Sequence, residues 1–339
     1  TGDRTDTKKK LRIAFDEYRP EQRFHGMKQL DLFGSDGDPT LLRQMLALTL
    51  LRQAGVPAPR SSMIWLNLNG APLGVYTLVE HVDKLYLQDR FGENDGNLYK
   101  LERGGTLAYE GDSPDAYEPP FADRYELKTN EAVGDVRDLI ALMKQLAVAD
   151  VDERKAGLAS LLDVDGYLLA LAINSWLANM DSYPGTTGNL YLYHDAAGRF
   201  RYIPWNLTRA FGNYHQTSCA HSTDDLLALD PDLPTCPGMR PLVTEVLGIA
   251  ANQNLYHEHL ARLVDATLAP SHVLDEVARL RSLVVDYAHQ DSADSFLAEE
   301  FDASFAQDLP EGDNPVRVPG LTPFVKARDD RVRELMGAW

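Results

Sequence analysis

The chain has little that is usually read first. It has only two cysteines in 339 residues, Cys219 and Cys236, so no disulfide-rich framework can replace a hydrophobic core. It has 33 basic against 51 acidic residues, a net charge of −18. That balance excludes a nucleic-acid binder, because phosphate backbones reward clustered Lys and Arg. No apolar run reaches the roughly 20 residues of a membrane span. The opening TGDRTDTKKK has no apolar signal-peptide region. Internal repeats and low-complexity tracts are missing too, which sets aside solenoids and linkers.

What is present is an ordinary 44% of apolar residues, enough for a core in one large domain or two small ones. Residues 11–15 and 27–33 alternate as strands, with Lys28 and Leu30 on one face. Asp38-Pro39-Thr40 opens a helix that Gly55 and Pro57 end. Residues 63–68 and 74–80 flank Asn69-Gly70 as a hairpin. A short helix follows, then a strand carrying Lys100. The Gly-, Pro- and acid-rich residues 104–125 read as a flexible excursion, followed by a short strand near 125–128. From residue 135 onward the pattern is helical, with Asp163 capping residues 164–178. Further helices are expected at 241–247, 254–268, 271–288 and 322–336.

The stretch from residue 179 to 215, NMDSYPGTTGNLYLYHDAAGRFRYIPWNLTRAFGNYH, breaks that helical pattern. Two alternating runs joined by Asp195-Ala196-Ala197-Gly198 read as a β-hairpin. A turn centred near Ala197 puts Asn189 opposite Trp205 or Asn206. Asp181 enters the same open end, so Asp181, Asn189 and Asn206 converge. A carboxylate with two amide oxygens suits magnesium holding phosphate, and the carboxylate can accept a hydroxyl proton. The competing reading is that Asp and Asn near loops cap backbone groups. Cys219 and Cys236 bracket an irregular segment that a disulfide would staple. His215 and His221 flank Cys219 but match no compact zinc motif.

YIPWNLTRAFG resembles the IPWDLDxAFG signature of the CotH kinase family, and NMDSYPGTTGNLYLYHD resembles its aspartate-loop segment. RFHGMKQLDL, DPTLLRQMLALTLLRQAGVPAP, NGAPLGVYTLVEHVD and GNLYK continue the likeness in order over nearly the whole chain. The resemblance implies an α+β, atypical protein-kinase-like two-lobed fold. It would be one domain, with a strand-rich lobe over 1–130 and a mainly helical lobe over 131–339 around the central β-hairpin. It implies a secreted or surface-associated kinase that moves the γ-phosphate of ATP, with magnesium or manganese, to Ser or Thr of a protein. No GxGxxG loop is present, in keeping with that family. Asp181 falls on the catalytic position. Asn189 and Asn206 fall at the metal, Glu80 near the adenine, and Lys28 or Lys100 on the phosphate. Asn206 stands where the family has a metal-binding Asp, and Thr208 where an acid or amide is common. The missing charge predicts weaker metal binding and opens the alternative of a silent pseudokinase or a structural protein. Gln44, near the place of a helix acid, points the same way.

Overall fold

A computed structural model describes residues 8–34, 37–214, 217–218, 220–291, 296–311, 314–337 and 339. Two antiparallel four-stranded sheets organise it. The first, in the order β1-β2-β4-β3, consists of β1 (Leu11–Ala14), β2 (Gln29–Phe33), β3 (Ser61–Leu68) and β4 (Ala71–Glu80). Asn69 and Gly70 both take left-handed backbone, φ 52° and 84°, as a two-residue hairpin turn requires. Helix α1 (Arg43–Gln53) packs on β3. Its entry is pinned by Asp38, whose carboxylate accepts from the Thr40 hydroxyl, the Arg43 amide and the Arg43 guanidinium. Gly74 has φ 84°, and a Cβ there would meet the Asp291 carboxylate at 1.9 Å. That carboxylate accepts from the Val75 amide at 2.7 Å and the Lys8 ammonium at 2.5 Å, which ties the first sheet to the C-terminal helices.

After β4, helix α2 (Lys84–Phe91) starts at Asp83, whose side chain accepts from the Leu85 and Tyr86 amides. It stops at left-handed Gly92. The second sheet, in the order β6-β5-β7-β8, joins β5 (Asn97–Leu101) and β6 (Tyr125–Leu127) to the hairpin β7 (Leu190–His194) and β8 (Phe200–Pro204). This sheet therefore takes strands from both sides of residue 130.

Residues 104–125 are not the flexible excursion their composition suggests. Leu107, Tyr117, Phe121 and Tyr125 are buried, and the Tyr117–Phe121 and Phe121–Tyr125 rings meet at 5.1 and 4.8 Å. A short helix, α3 (Phe121–Arg124), runs into β6. Aromatic anchors without periodicity hold this segment, and turn residues merely shape it.

The rest is helical: α4 (Arg137–Leu146), α5 (Val151–Leu161), α6 (Val164–Trp176), α7 (Tyr183–Thr186), α8 (Thr223–Leu227), α9 (Pro241–Leu247), α10 (Ala250–Val264), α11 (Pro270–Ala288), α12 (Ala298–Ala303) and α13 (Leu321–Met336), with a ribbon β9 (Leu309–Glu311) and β10 (Asn314–Val318). Helix α6 is the axis of this part. Nine of its thirteen residues are buried, so it is apolar around most of its circumference, and α10 lies along it. Arg328 of α13 is fully buried and donates to the carbonyls of Ser175, Leu227 and Leu229, which locks α13 to the end of α6. Cys236 is buried. Cys219 and His215 lie outside the described residues, so the expected Cys219–Cys236 pairing keeps that status.

Candidate active site

Helix α6 delivers the chain to Asp181, and the hairpin returns it to the same place. The turn hydrogen bonds run from Asp195 to Arg199, and His194 faces Phe200. Leu190 therefore pairs with Pro204, and Asn189 and Trp205 follow as the next step at the open end. There the Asn189 amide donates to the Asp181 carbonyl at 2.8 Å. The Asn206 amide donates to Asn189 Oδ1 at 3.2 Å, and the Thr208 hydroxyl donates to Asn206 Oδ1 at 2.9 Å. Asp181, Asn189 and Asn206 are thus brought together in one hydrogen-bonded run. The Asp181 carboxylate is mostly buried and lies 3.7 Å from the Arg103 guanidinium.

The backbone here is unusual. Among the described residues, ten non-glycine residues have left-handed φ, and five of them fall in this loop system: Ala178, Thr187, Asn189, Asn206 and Phe211. Asn tolerates that conformation and Ala, Thr and Phe do not, so the last three each cost on the order of 1–3 kcal/mol. The loop is held in place because Phe211 and Gly212 both donate to the Leu177 carbonyl at the end of α6. Ordinary caps do not require this strain, so the capping explanation of the Asp/Asn cluster accounts for less of it than a site does.

The other expected residues lie apart or are engaged. Glu80, at the end of β4, is buried. Its carboxylate accepts from the Arg60 amide and guanidinium and from Arg90 at 2.8 Å. Lys28 is half-exposed, 3.9 Å from Asp16, and lines a groove beside the β4–α2 connection. Lys100 stands on β5 opposite Tyr191 and Glu126, with its ammonium on Glu102.

The structure adds residues that the sequence reading missed. Lys10 places its ammonium over the Phe33 and Trp205 rings, at 4.3 and 5.1 Å from their centroids. Although the residue as a whole is exposed, loss of water at the ammonium lowers its pKa. Asp31 opposes that shift, and Lys100 and Arg12 add to it. Asp31 itself is fully buried on β2, with His81 Nδ1 at 2.6 Å and Arg12 Nε at 3.2 Å. Burial pushes its pKa up, but the His81 bond and the charges of His81, Arg12 and Lys10 prevail and hold it low. Tyr191 feels Asp31, and its ring packs edge-on against Trp205 at 5.3 Å. Phe33 meets Trp205 from above at 5.8 Å. Lys10, just before β1, and Arg12, Asp31 and Phe33 of the first sheet therefore face Lys100 and Tyr191 of the second and Trp205 just after β8. The one available signal was Asp31 itself, an acid among apolar strand residues.

Gln44 of α1 is buried, and neither amide atom has a hydrogen-bond partner among the described residues. It opens on a cavity of about 10 Å³ shared with Phe33, Thr77 and Thr208, room for one water. Among the described residues no three His, Cys, Asp or Glu side chains could share a metal. The donors at the open end are one carboxylate, two amide oxygens and a hydroxyl, a hard-oxygen set with a single charge.

Two antiparallel sheets packed among helices make this a kinase-like α+β protein. The chain belongs to the CotH kinase protein family, whose profile matches residues 1–308. It is 28% identical over 211 residues to the inner spore coat protein H of Bacillus subtilis (strain 168), a stretch covering 60% of this chain and 55% of that protein. It is 38% identical over 61 residues to the inner spore coat protein H-like protein of the same strain, 18% of this chain and 20% of that one. The matched stretches thus span little more than half of the first relative and a fifth of the second. Among solved structures, a Shewanella oneidensis MR-1 complex of HipA, HipB and operator DNA contains a chain similar at a TM-score of 0.41 and 13% identity, covering 97% of this chain and 63% of that one. A likeness at that level says nothing further here.

Proposed function

We propose that this chain is a phosphotransferase that moves the γ-phosphoryl group of ATP to a Ser or Thr hydroxyl of a protein, with magnesium or manganese. The observation that supports it most is the run Asp181–Asn189–Asn206–Thr208 at the open end of the hairpin, with strained backbone around it at Ala178, Thr187 and Phe211. Asp181 orients the acceptor hydroxyl and takes its proton. Asn189, Asn206 and Thr208 offer the metal oxygens, and a bound divalent ion would neutralise phosphate charge. Lys10 and Lys100 face the phosphates. Glu80 fixes the connection between the lobes beside the base, because its carboxylate holds Arg60 and Arg90. The whole chain acts as one domain. The relatives' spore-coat names support a place at a spore or cell surface, which the expected Cys219–Cys236 pairing would suit, and no helix of the described residues is long and apolar enough to cross a membrane.

The test is radiolabelled ATP with the full chain and a Ser/Thr-rich protein, across a titration of each metal. Label on Ser or Thr supports the reading. Neither label nor nucleotide binding under any metal condition refutes it. One observation favours a silent binding protein instead. The amide oxygens of Asn189 and Asn206 already accept hydrogen bonds within the run, and only one carboxylate stands beside them.

A further inference from the structure

The chain has a groove of about 310 Å³ where β2 begins, α2 begins and β6 ends. Arg23, Lys28, Lys84 and Lys128 line it, against the carboxylates of Asp83 and Glu131. Four cations thus face two acids, in a chain whose net charge is −18. Asp83 spends its carboxylate on the first amides of α2. Lys84 has no side-chain partner among the described residues, and Lys28 is 3.9 Å from Asp16, beyond hydrogen-bond length. Lys128 bonds Glu126 at 2.8 Å.

We propose that this groove docks a short acidic segment of a protein partner. The cations come from three separate elements, so an extended ligand with several carboxylates matches them better than a single anion. No Phe, Tyr or Trp lines the groove, and His81 is engaged by Asp31, so the groove is poor in platforms on which nucleobases stack. The acidity of the whole chain repels acidic proteins at long range, so selection falls to the local groove and weakens with salt. The groove adjoins β2, because His81 lines it while binding Asp31. Docking itself does not depend on transfer at the site proposed above.

The experiment is fluorescence anisotropy of a short labelled glutamate-rich peptide on the full chain, at low salt, without nucleotide or metal. Saturable binding that a lysine-rich peptide of equal length does not show is expected. The K28E/K84E double variant should weaken it about tenfold or more, since reversing two rim cations changes four charges. Both side chains are at the surface, and an unchanged melting temperature confirms the fold. K84R should bind as the wild type does. Equal affinity in K28E/K84E overturns the proposal, as does equal binding of the lysine-rich peptide. Displacement of the peptide by ATP overturns it too, by giving the cations to the nucleotide. Tighter binding of a single-stranded oligonucleotide overturns it in favour of nucleic acid. Because no phosphoryl transfer is read, failure here and failure of the kinase reading are separate results.

Discussion

The two ends of the central hairpin use polar residues in opposite ways. At the turn end, charges are matched and saturated. Asp195 accepts from the Ala197 and Arg199 amides and from Arg201 Nε, and Arg201 also reaches Asp163 at 2.8 Å. His194 lies 3.0 Å from Asp138, which also accepts from Tyr99. At the open end, neutral amides bond one another beside one carboxylate, in a loop system strained at Ala178, Thr187 and Phe211. Saturated charge in relaxed backbone is what a fold needs. A strained loop around neutral amides costs stability and is explained better by a task.

That contrast predicts which substitutions separate activity from stability. The largest effect belongs to Asp181→Ala. If Asp181 handles the proton, phosphoryl transfer should fall by roughly 10²–10⁴-fold, the usual worth of general-base catalysis. The melting temperature should stay within about two degrees. Transfer that survives in a clean preparation removes the role, and parallel loss of melting temperature and activity makes Asp181 a structural residue.

Asp195→Ala should behave in the opposite way. It removes two amide bonds and one guanidinium bond from a mostly buried carboxylate. A cost of about 2 kcal/mol or more is expected, since charge-assisted bonds are worth roughly 1.5–3 kcal/mol each. Chemical denaturation measures the cost, while transfer per folded molecule should be retained. A drop in transfer with stability intact would erase the difference between the two ends.

Smaller again is Asn206→Asp. One more negative charge beside a divalent ion is worth on the order of 1 kcal/mol after screening, or about tenfold in metal affinity per 1.4 kcal/mol. Magnesium dependence of transfer should shift to lower concentration. Left-handed backbone at Asn206, φ 51°, accepts Asp nearly as well as Asn, so the fold should hold. No shift in the magnesium midpoint favours the silent binding protein.

Much of this was readable beforehand because hairpin register depends on local signals. Alternation in NLYLYH and RFRYIPW, with the turn at Asp195 to Gly198, determined which residues meet at the open end. Helix α6 announced itself by Asp163 and its apolar residues. Lys10 was not readable, because nothing local distinguishes it from Lys8 and Lys9. Its position follows from the pairing of β1 with β2, which is long-range. Parity decided Lys28. Phe33 and Asp31 face Trp205 and Tyr191 beside the second sheet, so the alternation that groups Lys28 with Leu30 takes it off that face. Helix α5 buries only Arg154 and Leu158 and therefore lacks the stripe that periodicity detects.

The smallest effect lies at the turn end and depends on pH. The Asp138 hydrogen bond raises the His194 pKa above its ordinary 6.5, against partial burial, which lowers it. A folded-state pKa above the unfolded value means that the native state binds the proton more tightly. The contribution is therefore complete below about pH 6.5 and disappears as pH rises through the raised folded value. Asp138 sets the lower limit. Burial pushes its pKa up, yet the bonds from His194, Tyr99 and Asn97 prevail and hold it below 3.8, so its own share is lost only as pH falls through that depressed value. His194→Gln should then lower the melting temperature more at pH 5.5 than at pH 9, by about one to two degrees for a contribution of at most about 1 kcal/mol. The pH dependence should be absent from the Asp138→Asn variant, because an amide does not stabilise the imidazolium by charge. A difference between wild type and His194→Gln that is flat across this range, or larger at high pH, would mean that the turn end is held by packing of His194 on Phe200, whose rings stack at 4.6 Å, and not by matched charge.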